Sequence, residues 1–448
     1  MGVDGFWKKM RFVKSVAITF GTKVSIVIIA IASSIITARW LGPAGKGIFA
    51  VLWVIVGLGV QFGNFGFHAS NVYFTSRDKA LVSKIASNSL WFGLTIGLLI
   101  SGGVIYLYRI NSNLFSNIPF TLLLITVILI PFKVLLLFFQ NIFLGLQKIL
   151  TYNSFELVER FSLLVVVALV LILFKQGLFK LMVFILIITG MVTAFFTIYT
   201  KRVIKFSFFN FDTEVFTSMF KYGSKVYLSC FFSFLVIRSD MLLVNYFRGA
   251  SASGIYSIAA NFAELLYLLP VTIGAMLFTK VSANIADDGT FTQRISRHTV
   301  LLMVIICILV ALVCKPLILL MYGWQFAFSA IPLLWLLPGI FFLSLATIYN
   351  NDLAGRGYPP MIIYSTATGF ILNFGLNLLF IPRYGITGAA ITSSISYFVM
   401  FIIVLIYSMK ITHSKIEKFL IPSSGEIKIL FQEGRKRLKI GKNLVSGR

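Results

Sequence analysis

Nine ionisable side chains stand inside stretches that are otherwise apolar: Lys23, Lys133, Arg160, Lys225 and Arg238 against Glu156, Glu159, Asp240 and Glu264. A charge near the centre of a bilayer costs about 2.5–3.5 kcal/mol on insertion scales, so such residues face a bundle interior or water rather than lipid. The five cations are candidates for binding an anionic group. The four acids are candidates for ion coupling or for balancing those cations. Some have local alternatives: Glu156 and Arg160 are spaced i, i+4 and can pair on one helix, and Lys225 lies near a span end, where a lysine can snorkel. Lys23, Lys133 and Arg238 are deeper and have no partner nearby in sequence. Asp240 is two residues from Arg238, which puts the two on different helix faces.

Other chemistries have no residues to carry them. No group of His, Cys, Asp or Glu has metal-ligand spacing, and Cys230, Cys307 and Cys314 lie in apolar runs that read as buried thiols. A phosphate-cradling glycine loop, a nucleophile elbow and a paired-carboxylate site are all missing, so neither a cofactor nor catalysis is expected. The chain of 448 residues is 58% hydrophobic and 12% charged, with a mean hydropathy of +0.95. Those values describe an integral membrane protein. The net charge of +25 would suit nucleic acid, but the basic residues sit in short loops and the tail, and an anionic membrane face accounts for them better. Basic residues also precede the first apolar run, in "MGVDGFWKKMRFVKS". That run is long and lacks a cleavage site, so it reads as a first membrane helix and not a secretory signal.

A crossing needs about 20 largely apolar residues, and twelve windows qualify: 16–37, 47–67, 85–108, 118–144, 152–174, 181–199, 222–247, 254–279, 299–322, 324–349, 358–381 and 385–409. Lys and Arg concentrate on the side that holds both termini, even with the tail set aside, which places the termini in the cytoplasm. The expected organisation is an N-terminal lobe (1–199), a cytoplasmic linker (200–221), a C-terminal lobe (222–410) and a basic tail (411–448).

The two lobes echo each other. "WLGPAGKGIFA" (40–50) aligns without a gap on "FRGASASGIYS" (247–257), pairing Gly42 with Gly249 and Gly47 with Gly254 at an offset of 207. "FQNIFLGLQ" (139–147) aligns on "YNNDLAGRG" (349–357) at 210, and "KQGL" (175–178) on "RYGI" (383–386) at 208. Six crossings per half is an even number, so the repeat is parallel, about an axis along the membrane normal. The ionisable residues do not repeat: Arg238 aligns with Ile31, Asp240 with Ser33 and Glu264 with Gly57. The turns therefore read as scaffold and the charges as function. In the first turn Trp40 is expected at the interface, Gly42 and Pro43 at the bend, and Gly47 at the start of the next helix. Arg39 and Lys46 suggest a phosphate site, but neither is matched in the echo.

Further polar features have structural readings. Asn373 with Asn377, and Gln61 with Asn64, suit interhelical hydrogen bonds, and the pairs Gly59/Gly63 and Gly93/Gly97 suit close helix packing. Pro131, Pro270, Pro332 and Pro338 interrupt spans and supply kinks or hinges.

"ARWLGPAGKGIFA" (38–50), "RSDMLLVNYFRGASASGIYSIAANFAELLY" (238–267) and "IPRYGITGAAITSSISY" (381–397) resemble the polysaccharide-export branch of the multidrug, oligosaccharidyl-lipid and polysaccharide exporter superfamily. The resemblance runs through Met409 and excludes the basic tail. It implies an all-α membrane protein of twelve transmembrane helices in two pseudo-symmetric six-helix lobes around a central cavity. It also implies a bacterial inner-membrane flippase that carries undecaprenyl-diphosphate-linked oligosaccharide outward for O-antigen or capsule assembly, by alternating access. The partners it implies are that lipid-linked substrate, membrane lipids, and a polymerase with chain-length machinery. Lys23, Lys133, Arg238, Lys225 and Arg160 would then meet the diphosphate. A cation-coupled multidrug exporter of the same superfamily is the alternative, and it would be expected to place acids in its cavity. A lipid II flippase usually carries fourteen spans. A membrane glycosyltransferase would carry acidic catalytic residues in a sizeable loop, and every loop here is short.

Overall fold

In the computed structural model, residues 3–115, 118–208, 210–283, 289–357, 359–413 and 416–417 are described, and they form helices and short connections with no strand among them. The basic tail from 418 onward lies outside the described residues. The helices are α1 (Val3–Asn64), α2 (Phe67–Arg77), α3 (Val82–Ile110), α4 (Phe120–Val127), α5 (Leu129–Gly145), α6 (Ile149–Ala168), α7 (Leu178–Ile204), α8 (Thr213–Ala283), α9 (Thr290–Tyr322), α10 (Ala330–Gly355) and α11 (Pro359–Thr412). By length and composition, eight helical stretches among the described residues can cross a membrane. Three of them, Gly21–Asn64, Thr213–Ser282 and Pro360–Thr412, hold 44, 70 and 53 residues. Each is broken once by a left-handed glycine: Gly42 (φ 65°), Gly249 (φ 79°) and Gly385 (φ 60°). A residue with a Cβ is strained in that conformation, so glycine sets where each long helix turns.

Two predicted segments include turns that are not α-helical. The crossing predicted from 324 does begin there: Gly323 (φ 91°) stops α9, and a 3-10 turn, Trp324–Ser329, whose Phe326 is fully buried, leads into α10. The predicted segment at 152–174 is α6 running into a π-helical turn, Leu169–Leu173.

The interruption between α4 and α5 follows from Pro131, which has no N–H to give the carbonyl of Val127. The Ser101 hydroxyl of α3 donates to that carbonyl at 2.7 Å. Gly97 lets α3 come this close, since a Cβ there would lie 2.5 Å from the Pro131 Cα. Proline and glycine thus act as a pair, with one freeing an acceptor and the other admitting its donor.

The segment before α8 is fastened to α3. Asn88 exchanges two hydrogen bonds with the Asp212 backbone, at 2.8 and 2.9 Å. Lys84 pairs with the Asp212 carboxylate at 2.8 Å, and that ammonium holds the Asp212 carboxyl below its ordinary range. Asp212 also accepts from the Val215 N–H at 3.0 Å, capping α8.

The repeated turns touch each other. A Cβ at Gly47 would lie 1.7 Å from the Ala250 carbonyl oxygen, and one at Gly254 would lie 1.9 Å from that of Pro43. Ala250 and Pro43 are themselves related by the offset of 207, so the contact is reciprocal. Both glycines are inside helices, which corrects the expectation that Gly47 begins one: Gly42 is the bend and Pro43 the first residue after it. The second echo also has a packing counterpart. Gly145 rests on Val72 and Thr75 of α2, and Gly355 on Phe278 and Val281 of α8. The third differs, because Gly385 is left-handed whereas Gly177 is extended (φ −83°) and Lys175 takes the positive φ (48°).

Gly47→Ala is expected to push the two turns apart at a cost of about 1–3 kcal/mol. Ser34→Cys, with Cys230, Cys307 and Cys314 replaced by Ser, reports the opening through its rate of reaction with a membrane-impermeant maleimide. A rate several-fold higher with Gly47→Ala is the expected result, and equal rates would mean that the contact does not hold the turns.

Candidate substrate pathway

The first half of the chain meets the second along a seam between α1 after its break and α8 before its break. From the repeated turns it passes through Gly57 against Phe234, Phe62 against Phe231 (ring centroids 5.0 Å apart) and Phe65 against Tyr227 (5.4 Å). It ends where a Cβ on Gly66 (φ 75°) would lie 2.1 Å from the Gly223 carbonyl oxygen and where the Ser70 hydroxyl donates to Met219 at 2.7 Å. Residues 43 to 64 cover about 32 Å at 1.5 Å per residue, which is the depth of a hydrocarbon core.

The ionisable residues are sorted about this seam. Lys23 of α1 pairs with Glu156 of α6 at 2.5 Å, and Lys133 of α5 pairs with Glu159 of α6. The Lys133 ammonium also lies 5.1 Å from the ring centroid of Trp53. Glu156 and Glu159 are three residues apart on α6, so one face collects a cation from α1 and another from α5. The i, i+4 pairing of Glu156 with Arg160 does not form: Glu156 takes Lys23, and Arg160 is exposed without an ion-pair partner among the described residues. In the second half Arg238 and Glu264, on α8 either side of its break, pair at 2.7 Å, with side chains 35% and 33% exposed. Lys23, Lys133 and Arg238 therefore each have a partner, remote in sequence and supplied by another helix or helix segment. Lys225 is exposed.

Asp240 makes its hydrogen bonds apart from these ion pairs. It is 5% exposed, accepts from the Tyr256 hydroxyl, from the Met241 N–H at 2.7 Å and from the Ser393 hydroxyl at 3.4 Å. Ser393 accepts from Asn373 at 3.2 Å, Asn373 accepts from Asn377 at 2.9 Å, and Asn377 accepts from Thr392. The carboxylate thus heads a buried chain of neutral polar groups joining α8 to both segments of α11.

Sequence reasoning set Lys46 aside as part of a turn, yet its side chain is buried, 4% exposed. Its ammonium donates to Thr37 at 2.9 Å and to Ser34 at 3.2 Å. Ser34 also accepts from Asn261 of α8 at 3.1 Å and from the Tyr322 hydroxyl of α9 at 3.3 Å. A lysine of the first half therefore sits in a hydroxyl and amide cluster shared with the second, immediately before the glycine that makes the contact. Proline at the first helical position was the available signal, because it starts the helix at Pro43 and puts Lys46 in its first turn. Arg39 is structural: it donates to the carbonyls of Leu320 and Met321 at the end of α9, at 2.5 and 2.8 Å.

The cations are thus spread in depth. Counted from the glycine bends at 1.5 Å per residue, Lys46 lies about 6 Å in, Arg238 about 16 Å and Lys23 about 28 Å. Such a series can pass an anionic group across an apolar layer in steps.

The sequence profile of the family described as "Polysaccharide biosynthesis protein" matches residues 12–278. The chain belongs to that family. A Shigella flexneri protein described as a candidate O-antigen transporter is 25% identical over 387 residues, covering 82% of this chain and 90% of its own length. Among solved structures, the lipid II flippase MurJ in an inward closed conformation superposes with a TM-score of 0.72 at 16% identity, covering 89% of this chain and 90% of that one. A Vibrio cholerae multidrug and toxin extrusion (MATE) transporter superposes at 0.63 and 14% identity, covering 92% and 98%. The fold is that of these exporters, and the chain is a multi-pass membrane protein of the polysaccharide-biosynthesis family.

Arg238→Ala leaves Glu264 without its cation, and Glu264→Ala the reverse, so each alone should lower membrane-inserted protein. The double alanine variant should restore abundance, because breaking a pair is worse than removing it. Immunoblotting of membranes checks this, and a double variant no better than the singles would make the pair incidental to folding.

Proposed function

We propose that the protein flips a lipid-linked oligosaccharide, carried on undecaprenyl diphosphate, from the cytoplasmic to the outer leaflet of the bacterial inner membrane for O-antigen or capsular polysaccharide assembly. The supporting arrangement is a family member related to an O-antigen transporter that holds cations at successive depths beside the seam between its halves. Twelve crossings, a lobe at 1–199, a linker at 200–221, a lobe at 222–410 and a tail at 411–448, with both termini cytoplasmic, complete the reading. A polymerase and chain-length machinery would use the flipped unit on the far side.

Transport proceeds by exchange of ionic partners. Lys23, Lys133 and Arg238 are neutralised by Glu156, Glu159 and Glu264 until a diphosphate arrives, and its oxygens then compete for the same N–H donors. Each exchange trades one close ion pair for another, and the glutamate it releases must be hydrated or take up a proton while the headgroup holds its cation. Arg160 and Lys225, exposed and unpaired with acids among the described residues, supply attraction at the ends of the path. The reciprocal glycine turns separate and rejoin as access alternates. Asp240 is the group for ion coupling, since its partners are neutral hydroxyls and an amide whose rearrangement accompanies movement of α8 against α11. A multidrug exporter for cationic drugs would need acids open to its substrate, and here Glu156, Glu159 and Glu264 are each held by a cation.

In a strain lacking its own repeat-unit flippase and supplied with this protein, Lys133→Ala and Arg238→Ala should each reduce surface polysaccharide at least tenfold, measured by gel and antibody at matched abundance. Wild-type levels with both variants would overturn the assignment of the cations. Asp240→Asn keeps the shape and removes the charge. It should leave abundance near normal while abolishing the response of transport to an imposed ion gradient in vesicles, and an unchanged response would remove Asp240 from coupling.

A further inference from the structure

A groove of about 380 Å³ runs between the end of α8 and the start of α9, outside the pathway described above. Its two ends differ in chemistry. Near the end of α8 it is lined by Lys280, about two turns into α9 by His298, and otherwise mainly by apolar side chains that include Ile273, Leu277 and Leu302. The Lys280 ammonium lies 3.3 Å from the ring centroid of Phe291, which holds it over the mouth of the groove. The Nδ1 atom of His298 is buried and has no hydrogen-bond partner. A buried ring nitrogen without a partner is costly, and an acceptor brought by a ligand would relieve that cost. Along the helices, Ile273 is about 10 Å from Lys280 and Leu302 about 16 Å from Phe291 at 1.5 Å per residue. By the same measure His298 is about 10 Å from Phe291, so Lys280 marks the end near the helix termini, His298 lies partway along and the apolar lining continues past it.

We propose that this groove binds an anionic phospholipid, with the headgroup phosphate on Lys280, an acyl-ester carbonyl accepting from His298 and an acyl chain along Ile273, Leu277 and Leu302. A soluble anion would leave the apolar length unused, and a neutral lipid would leave the ammonium unmatched. The combination of a cation, a hydrogen-bond donor and an apolar trough fits an amphiphile with a single negative headgroup. The orientation proposed above puts this lipid in the cytoplasmic leaflet, and the headgroup assignment does not depend on that orientation or on the transported substrate.

The full-length protein, purified in detergent, is titrated with phosphatidylglycerol and with phosphatidylcholine of identical chains, and bound lipid is counted by native mass spectrometry. The expected preference for phosphatidylglycerol is about fivefold, the factor one lysine contributes near an anionic lipid surface. Lys280→Gln should bring it to near parity. His298→Phe, which cannot donate to an ester carbonyl, and Leu302→Trp, which fills the apolar end, should each lower binding of both lipids. A preference unchanged in Lys280→Gln, no preference in the wild type, or binding unaffected by His298→Phe overturns the proposal. So does displacement of the bound phosphatidylglycerol by equimolar undecaprenyl phosphate in the wild type, which would give the groove to the carrier lipid. All three substitutions are judged on protein with wild-type elution, and Lys280→Gln changes an exposed side chain that packs on one ring.

Discussion

Among the described glycines, the two with least room for a side chain are Gly47 and Gly254, each against a backbone carbonyl of the other half in a reciprocal contact of two helix turns. Within a bilayer the hydrophobic effect gives helices no reason to associate, so packing surfaces must fit closely enough for dispersion and polar contacts to hold them. Two missing side chains allow that fit, and several other features follow from it. It sets the register of the seam running from Gly57 and Phe234 to Gly66 and Gly223. It also puts Ser34 within reach of Asn261 and Tyr322, and it buries Lys46 beneath the turns. Because the contact is between backbones, it can open or close but cannot be gradually loosened by side-chain rotation.

The charges obey a second constraint, that of low dielectric. A lone ion inside the bundle costs more than a paired one, and lipid offers no screening. The protein meets this in two ways. Lys23, Lys133 and Arg238 are each matched to a glutamate on another helix or across a helix break, which keeps net charge low and leaves a cation ready for a stronger anion. Asp240 and Lys46 instead rely on hydroxyls and amides, so their charge is solvated by dipoles that must rearrange when the helices move. In the proposed function the first arrangement serves binding, and that of Asp240 serves coupling.

The halves share turns and differ in charge, and this division shows in the packing as well. Gly42 and Gly249 adopt nearly the same left-handed conformation, and Gly145 and Gly355 rest on equivalent parts of α2 and α8. The glutamates that neutralise the first-half cations come from α6, whereas Glu264 comes from the continuation of the helix that holds Arg238. A duplicated scaffold has thus been given two unrelated sets of ions.

Composition and apolar spacing by themselves determined that the chain is an all-helical membrane protein, since a mean hydropathy of +0.95 and long charge-poor runs leave no other solution in lipid. Glycine and proline, whose backbone limits are local, also marked the bends at Gly42, Gly249 and Gly385 and the break before Pro131. Which ions meet was beyond the sequence. Lys23 and Glu156 are separated by 133 residues, and the i, i+4 neighbours Glu156 and Arg160 did not pair because a cation from another helix lay closer. The burial of Lys46 was equally hidden, because a lysine in a turn is exposed unless a second turn covers it. Local backbone preference can be read along one chain, but electrostatic pairing and burial are decided by which helices the fold brings together.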